Sequence, residues 1–371
     1  MPQPAPKQIR FANFLSKRWT DAIALWLETS WQHDGRLSLA LLPLAWLYRA
    51  VFGLRQMLYR TGMVHCHKAA VPVLVVGNVI VGGAGKTPTT IAIVQHLQGQ
   101  GRRVGVVSRG HGRGTRRYAR VDAASRVQDV GDEPLLVFRA TQAPVWVGPS
   151  RYLAAKHLLQ MHPDVELVIC DDGLQHYGLY RDAEICVFDN RGCGNGKLLP
   201  AGPLREPWPR TLLAAAGQSP QTTLVLHTGT RPVFNGHRAH RGLGPYAVGA
   251  SGAQRALQEL ALQIEKPLFA VAGIAQPEAF FSMLRALQLP LAGTLGLRDH
   301  ADFSGFDVQL AQSFTLLCTE KDAAKLWQVA PHAWAVPLQQ TMDPPFWDDL
   351  DRLLEPLWAA KLSSQHGQKT A

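Results

Sequence analysis

Seven consecutive residues, Gly82, Gly83, Ala84, Gly85, Lys86, Thr87 and Pro88, have the types and spacing that hold phosphate. Glycines let backbone amides approach phosphate oxygens closely, and the positive end of a following helix adds to the attraction. Lys86 can reach the outer phosphates of a nucleotide, and the Thr87 hydroxyl can ligate Mg²⁺. The usual pattern has a further glycine five positions before Gly85, where this chain has Ile80. A second signal is the pair Asp171 and Asp172, which ends the apolar run 166–170. The carboxyl end of a core strand is where a phosphate-loop protein keeps its metal carboxylate. Mg²⁺ takes few carboxylates, completing its shell with water and phosphate, so at least one of the two is expected to hold the ion.

The elements that must position these residues can be read around them. The unbroken Val/Leu run at 71–77 predicts a buried parallel strand, and 89–97 predicts a helix. Strand, glycine loop, Lys-Thr, helix is the context that makes a glycine-rich match a phosphate-binding loop. Residues 103–109 predict the next strand, ending in Arg109, and a Gly/Arg-rich loop follows at 110–117. Arginines there could grip phosphate by fork-like hydrogen bonds, or simply form a solvated loop. Gly-Asp-Glu-Pro at 131–134 reads, taken alone, as a helix start with proline in its first turn. Further strands are predicted at 222–226, 266–273 and 314–319, with an amphipathic helix at 276–287.

Strands alternating with helices predict a P-loop NTPase-like, doubly wound, mainly parallel α/β fold. A second, smaller α/β domain and an amino-terminal amphipathic helical arm complete the expected architecture. The boundaries read as an arm at 1–60, a core at 61–227, a linker at 228–248, a carboxy-terminal domain at 249–360 and a tail at 361–371. The tail is polar and is expected to lack order.

The chain has 371 residues, a formal net charge of +10 and a hydrophobic content of 46 %, which excludes global disorder. Five cysteines without a C-x-x-C pair argue for free thiols in a reducing compartment. Nine Lys/Arg face three Asp/Glu in the first seventy residues, so more than half of the positive excess lies there. Phe11, Leu15, Trp19, Ile23 and Trp26 recur at helical spacing, and the apolar run 37–48 is flanked by Arg36 and Arg49. That run is shorter than the ~20 residues a spanning helix needs. Basic side chains beside Trp, Leu and Phe describe a helix lying in the interface of an anionic membrane. The same features would also serve helices packed on the protein's own core.

Two other function classes fit parts of this pattern. A soluble P-loop ATPase accounts for the glycine loop but leaves the amphipathic arm without a purpose. A nucleic-acid partner is not expected, because the positive charge is concentrated in the arm and no zinc-ligand set or RNA-recognition signature occurs.

The motifs taken together carry a resemblance. Residues 76–88, Ser-Arg-Gly (108–110), Gly-Asp-Glu-Pro (131–134), Asp-Asp-Gly-Leu-Gln-His (171–176) and Gly-Asn-Gly (194–196) occur in that order. The Pro/Gly-rich stretch 199–207, Asp-His (299–300) and Thr-Glu-Lys-Asp-Ala (319–323) follow. This ordered set resembles the tetraacyldisaccharide 4′-kinases, the lipid A 4′-kinases of Gram-negative bacteria. The resemblance implies an enzyme that moves the γ-phosphoryl group of ATP, with Mg²⁺, to the 4′-hydroxyl of a tetraacylated glucosamine disaccharide 1-phosphate. It implies a peripheral protein on the cytoplasmic face of the inner membrane, and a monomer is expected. Carried over, Asp132 works as base with His300, Glu133 lies near the metal with Thr87, Asp171 and Asp172, and Lys86 assists transfer. Arg109, Gln175, His176, Asn195 and Arg205 become the candidates for holding the acceptor. Two positions depart from the family pattern: His111 stands where tyrosine is usual, and Ala301 stands where a second histidine is usual. Because the glycine loop and His300 flank the expected linker, closure of the two halves is expected to assemble the site.

Overall fold

The computed structural model describes residues 30–31, 35–210, 222–262 and 266–367. The chain divides into two compact units, one of residues 1–63, 79–81 and 191–218, the other of the remaining residues. In the first unit, helix α1 (Arg36–Ala40) leads into α2 (Leu42–Arg60), with Pro43 in its first turn, where a missing N–H costs nothing. These helices, with Trp31 ahead of them, hold the unit's later segment by hydrogen bonds to its backbone. The Ser38 hydroxyl donates to the Ala201 carbonyl at 2.6 Å, Trp31 Nε1 to Pro200 at 2.9 Å and Tyr48 to Arg205 at 2.7 Å. The stripe from Phe11 to Trp26 lies outside the described residues.

The second unit contains two sheets. Its first part runs β1 (Val73–Gly77), α3 (Lys86–Gly99), β2 (Val104–Ser108), β3 (Ala119–Val121), α4 (Val127–Val130), α5 (Asp132–Thr141) and β4 (Val145–Val147). It continues with α6 (Arg151–Met161), β5 (Leu167–Asp171), β6 (Ala183–Phe188), β7 (Thr222–His227) and β8 (His237–Leu243). Next come β9 (Tyr246–Val248), β10 (Gln254–Ala256), α7 (Leu257–Leu262), β11 (Leu268–Ala272), α8 (Pro277–Ala286) and β12 (Leu291–Gly296). The chain closes with α9 (Val308–Ser313), β13 (Thr315–Thr319), α10 (Glu320–Leu326), β14 (Trp334–Val336), β15 (Leu338–Met342) and α11 (Pro344–Gly367).

The larger sheet has the order β15-β8-β7-β6-β1-β5-β2-β4-β3 and the smaller β10-β9-β14-β13-β11-β12. Strands β1, β2, β5 and β6 are buried along their whole length and pair in parallel, as continuous apolar runs require. The fold is therefore a mixed α/β architecture with a mainly parallel central sheet. The stretch 228–248 contains β8 in the first sheet and β9 in the second, so it is the passage from one sheet to the other.

Residues 338–367 differ from the division read at 249–360. Strand β15 pairs antiparallel with β8, and α11 returns to the first core through Phe346, Leu350, Leu354 and Trp358. Their spacing of four places them on one helical stripe. The ring of Trp347 stacks on His96 of α3 at 4.1 Å, which fixes the return. Helix α11 also continues to Gly367, into the stretch expected to be a tail, and 368–371 lie outside the described residues.

Candidate functional site

The glycine loop bridges β1 and α3 at the carboxyl edge of the central sheet. Gly85 caps α3 with φ +87°, a left-handed conformation that side chains disfavour. The Asn78 amide donates to the Gly82 carbonyl at 3.1 Å, and Lys86 Nζ donates to Asn78 Oδ1 at 3.2 Å. Lys86 also pairs with Asp172 at 3.5 Å. At the position where glycine is usual, Ile80 is fully buried within the first unit, bridging its backbone to Leu204. A packed side chain there explains the departure from the standard pattern.

Two residues that local sequence does not reveal complete this loop. Arg241 Nη2, from β8, donates to the Ala84 carbonyl at 2.8 Å and to Thr228 Oγ1 at 2.6 Å. Thr228 itself donates to the same carbonyl at 2.8 Å. Any Cβ added to Gly85 would meet the Arg241 guanidinium, so the two positions are made for each other. No motif surrounds Arg241, and only strand pairing brings it to the loop.

Asp171 ends β5 and is 1 % exposed. Thr90 donates to its Oδ1 at 3.0 Å, and Thr87 lies 3.5 Å from Oδ2. Burial, then Glu133 and Asp172, push its carboxyl up to about 7. Three acids share this end of the sheet with Lys86, an arrangement short of positive charge that suits a divalent cation. Among the described residues no group of three or more His, Cys, Asp and Glu forms a metal cage. Mg²⁺ is satisfied by one or two carboxylates, a hydroxyl and substrate phosphates, so Thr87 and the acid pair fit it.

Asp132 and His300 are in contact. Gly131, at φ +92°, turns the chain into α5, and a Cβ there would strike the carbonyl of His111. Asp132, the first residue of α5, is thereby buried, with its side chain 3 % exposed. Its Oδ1 accepts from the Glu133 N–H at 3.0 Å. Its Oδ2 lies 2.9 Å from His300 Nδ1 and 3.2 Å from Lys325 Nζ. Burial alone would raise the Asp132 carboxyl, but His300, Lys321 and Lys325 hold it well below the usual range. His300 is raised, first by its hydrogen bond to Asp132, against opposing effects of burial and Lys321. The histidine sits at φ +59°, a costly conformation for a non-glycine residue. Its N–H donates to the Gly273 carbonyl at 3.1 Å, which holds the turn. The pair is already formed without any closure of the kind the sequence suggests, because α10 packs on α5 and joins the two sheets locally.

Lys321 completes the cluster. It reaches Asp299 at 3.1 Å, Glu133 at 3.5 Å and His300 Nε2 at 3.5 Å. Its signal is the Thr-Glu-Lys-Asp motif that opens the helix, with Lys325 following Lys321 four residues on and on the same face. The Thr319 hydroxyl, accepting from the Asp322 N–H at 3.2 Å, caps that helix.

The acceptor candidates are distributed. Arg109 follows β2 and is exposed. The Gln175 amide donates to the Asn78 carbonyl at 3.0 Å, and His176 Nε2 accepts from the Arg151 N–H at 3.2 Å. Asn195 and Arg205 belong to the first unit, where Asn195 Nδ2 donates to Ser38 Oγ and the Ala201 carbonyl, both at 3.0 Å. The Arg205 N–H donates to the Val79 carbonyl at 2.7 Å. His111 lies 5.3 Å from the His300 ring, centroid to centroid.

The LpxK family, described as tetraacyldisaccharide-1-P 4′-kinase, matches residues 37–355. A tetraacyldisaccharide 4′-kinase of Polaromonas naphthalenivorans is 50 % identical over 93 % of this chain and 98 % of its own length. One of Delftia acidovorans is 46 % identical over 89 % of this chain and 95 % of its own. A crystal structure titled as the "apo" form of LpxK from Aquifex aeolicus in complex with ATP is similar with a TM-score of 0.70 and 25 % identity, covering 87 % of this chain and 99 % of that one. With its phosphate loop, its Asp-His pair and relatives of this likeness along nearly the whole length, the chain belongs to the tetraacyldisaccharide-1-P 4′-kinase family.

Proposed function

We propose that this protein transfers the γ-phosphoryl group of ATP to the 4′-hydroxyl of a tetraacylated glucosamine disaccharide 1-phosphate. The observation that carries the reading is the Asp132–His300 hydrogen bond, joining residues 168 apart in the same unit as the phosphate loop. Lys86 and the loop amides hold the outer phosphates. Thr87, with Asp171, Asp172 and Glu133 around it, would hold Mg²⁺, which when bound neutralises charge shared between the phosphates.

The geometry supports exchanging the roles within the pair. Both Asp132 oxygens are engaged and the side chain is 3 % exposed, whereas His300 is 28 % exposed. With Nδ1–H donating to Asp132, His300 Nε2 is the ring nitrogen with an accepting lone pair, and Lys321 Nζ at 3.5 Å yields that position to the sugar hydroxyl, whose proton Nε2 takes. Asp132 then fixes the tautomer and stabilises the imidazolium that forms. Arg109, Gln175 and His176 in the second unit, and Asn195 and Arg205 in the first, stay the candidates for holding the acceptor, each within its own unit.

We further read the amino-terminal segment as the membrane contact. On α1 and α2, Leu39, Leu44, Trp46, Leu47, Val51, Leu54 and Met57 are all more than half exposed, beside Arg49 and Arg60. Among the described residues no helix is long and apolar enough to cross a membrane. Such a stripe suits insertion into the headgroup region of the inner membrane's cytoplasmic leaflet, where the lipid acceptor would be met. Transfer of labelled γ-phosphate to a lipid A disaccharide precursor, with Mg²⁺ present, tests the function; an unlabelled lipid overturns it.

A further inference from the structure

The roles given to Lys86, Asp132 and His300 leave a buried cation unused. Lys325 Nζ stands 3.2 Å from the Asp132 oxygen that His300 Nδ1 also reaches, and its side chain is 10 % exposed. A buried ion pair is a poor device for stability alone, since well-packed apolar residues of similar volume often serve as well or better. The same helix supports the other partner. Asp322 Oδ2 accepts from the Gly273 N–H at 2.8 Å, and the Gly273 carbonyl accepts from the His300 N–H at 3.1 Å. Helix α10 thus holds Asp132 with Lys325 and the turn carrying His300 with Asp322, over a separation that no local sequence could bridge.

We propose that Lys325 is a positioning residue for phosphoryl transfer, fixing the Asp132 carboxylate so that it presents His300 to the acceptor hydroxyl. This rests on the assignment of Asp132 and His300 made above. Lys325 does not touch substrate in this role; it acts through Asp132. Lys321 faces His300, Glu133 and Asp299; its charge also lowers the Asp132 carboxyl, but the direct ion pair that fixes the carboxylate in place is made by Lys325.

The test is steady-state kinetics of the full chain with Mg·ATP and a lipid A disaccharide precursor. Lys325→Met should lower kcat about 10²-fold, the loss expected of a misplaced catalytic group. KM for ATP and for the lipid should stay within about twofold, because neither is bound by this lysine. Lys325→Arg, which keeps a cation, should recover most of the rate. In a His300→Ala background Lys325→Met should add less than about threefold, since residues acting as a unit are not additive. Wild-type kcat in Lys325→Met, a loss confined to KM, no rescue by arginine, or full additivity with His300→Ala would each overturn the proposal. Should Lys325→Met melt below the assay temperature, Lys325→Gln is measured by the same criteria. An Asp132→Ala variant separates the two levels: normal turnover there refutes the Asp132–His300 assignment itself, whereas loss there beside an unaffected Lys325→Met refutes only the positioning role.

Discussion

Asp132 Oδ2 and His300 Nδ1 lie 2.9 Å apart, and the carboxylate is nearly sealed from water while the imidazole is not. In the proposed mechanism that inequality makes His300, and not Asp132, the group that takes the hydroxyl proton. A carboxyl held well below its usual range is a poor proton acceptor, but it is a good partner for an imidazolium.

The pH dependence follows with a definite sign. The hydrogen bond to Asp132 raises the His300 pKa, so protonation takes up the Nε2 lone pair at a higher pH than in an ordinary histidine. kcat/KM should therefore fall as pH drops through that raised value. In Asp132→Asn the raising partner is gone, so the acid limb should move to lower pH while the plateau drops by about 10²- to 10⁴-fold. An acid limb that stays in place, measured by pH–rate profiles of both proteins, would contradict the assignment.

Asp171 makes a stability prediction. Its folded carboxyl titrates at about 7, above the ordinary 3.8, so the folded state binds more protons than the unfolded state between these values. The stability this group contributes is present at low pH and is lost as pH rises toward 7. Asp171→Asn cannot ionise and escapes that loss. Without nucleotide and with chelator present, its melting temperature should exceed wild type by on the order of 5 °C at pH 8, and the gap should close toward pH 4. If Asp171 holds Mg²⁺ as proposed, the same substitution should abolish most activity. A constant gap across pH, followed by calorimetry, would show that burial of the charge is not the cause.

Much of this was legible in the chain and some of it was not, for physical reasons. A glycine loop, its strand and its helix are contiguous, so local spacing revealed Lys86 and Thr87. The run of fully buried residues in β1 and β5 likewise announced a parallel core sheet. Asp132 and His300 are separated by 168 residues, and neither motif states a role by itself, so only the resemblance joined them before the fold did. Arg241 had no signal, because a lone arginine in a basic stretch looks like a solvated one until β8 pairs with β7 and β15. The return of α11 was hidden for a similar reason: its stripe from Phe346 to Trp358 declares an amphipathic helix but not which sheet it covers.

Arg241 offers a direct check on the loop. By donating to the Ala84 carbonyl it fixes the turn that aims the loop amides at phosphate. Arg241→Ala should weaken binding of an ATP analogue about tenfold, equivalent to one lost charge-assisted hydrogen bond. Arg241→Lys keeps the charge without the fork and should recover only part of it. Gly85→Ala should be worse than either, since a Cβ there both strains φ +87° and strikes the guanidinium. Isothermal titration with a non-hydrolysable ATP analogue measures all three, and an unchanged affinity in Arg241→Ala would remove the brace from the account.

The exposed stripe of α2 separates lipid contact from catalysis. Trp46 is 67 % exposed and Leu47 is 62 % exposed, so changing them costs the folded protein little packing. Inserting such side chains into the headgroup region contributes about 1.5–3 kcal/mol each, or roughly tenfold or more in partitioning. Trp46→Glu with Leu47→Glu should therefore reduce flotation with vesicles of anionic phospholipid by about 10²-fold. Turnover of a detergent-dispersed acceptor should change little, because the phosphate loop and the Asp132–His300 pair belong to the other unit. Should the double variant float as well as wild type, the stripe has some other use and the anionic surface must be recognised elsewhere.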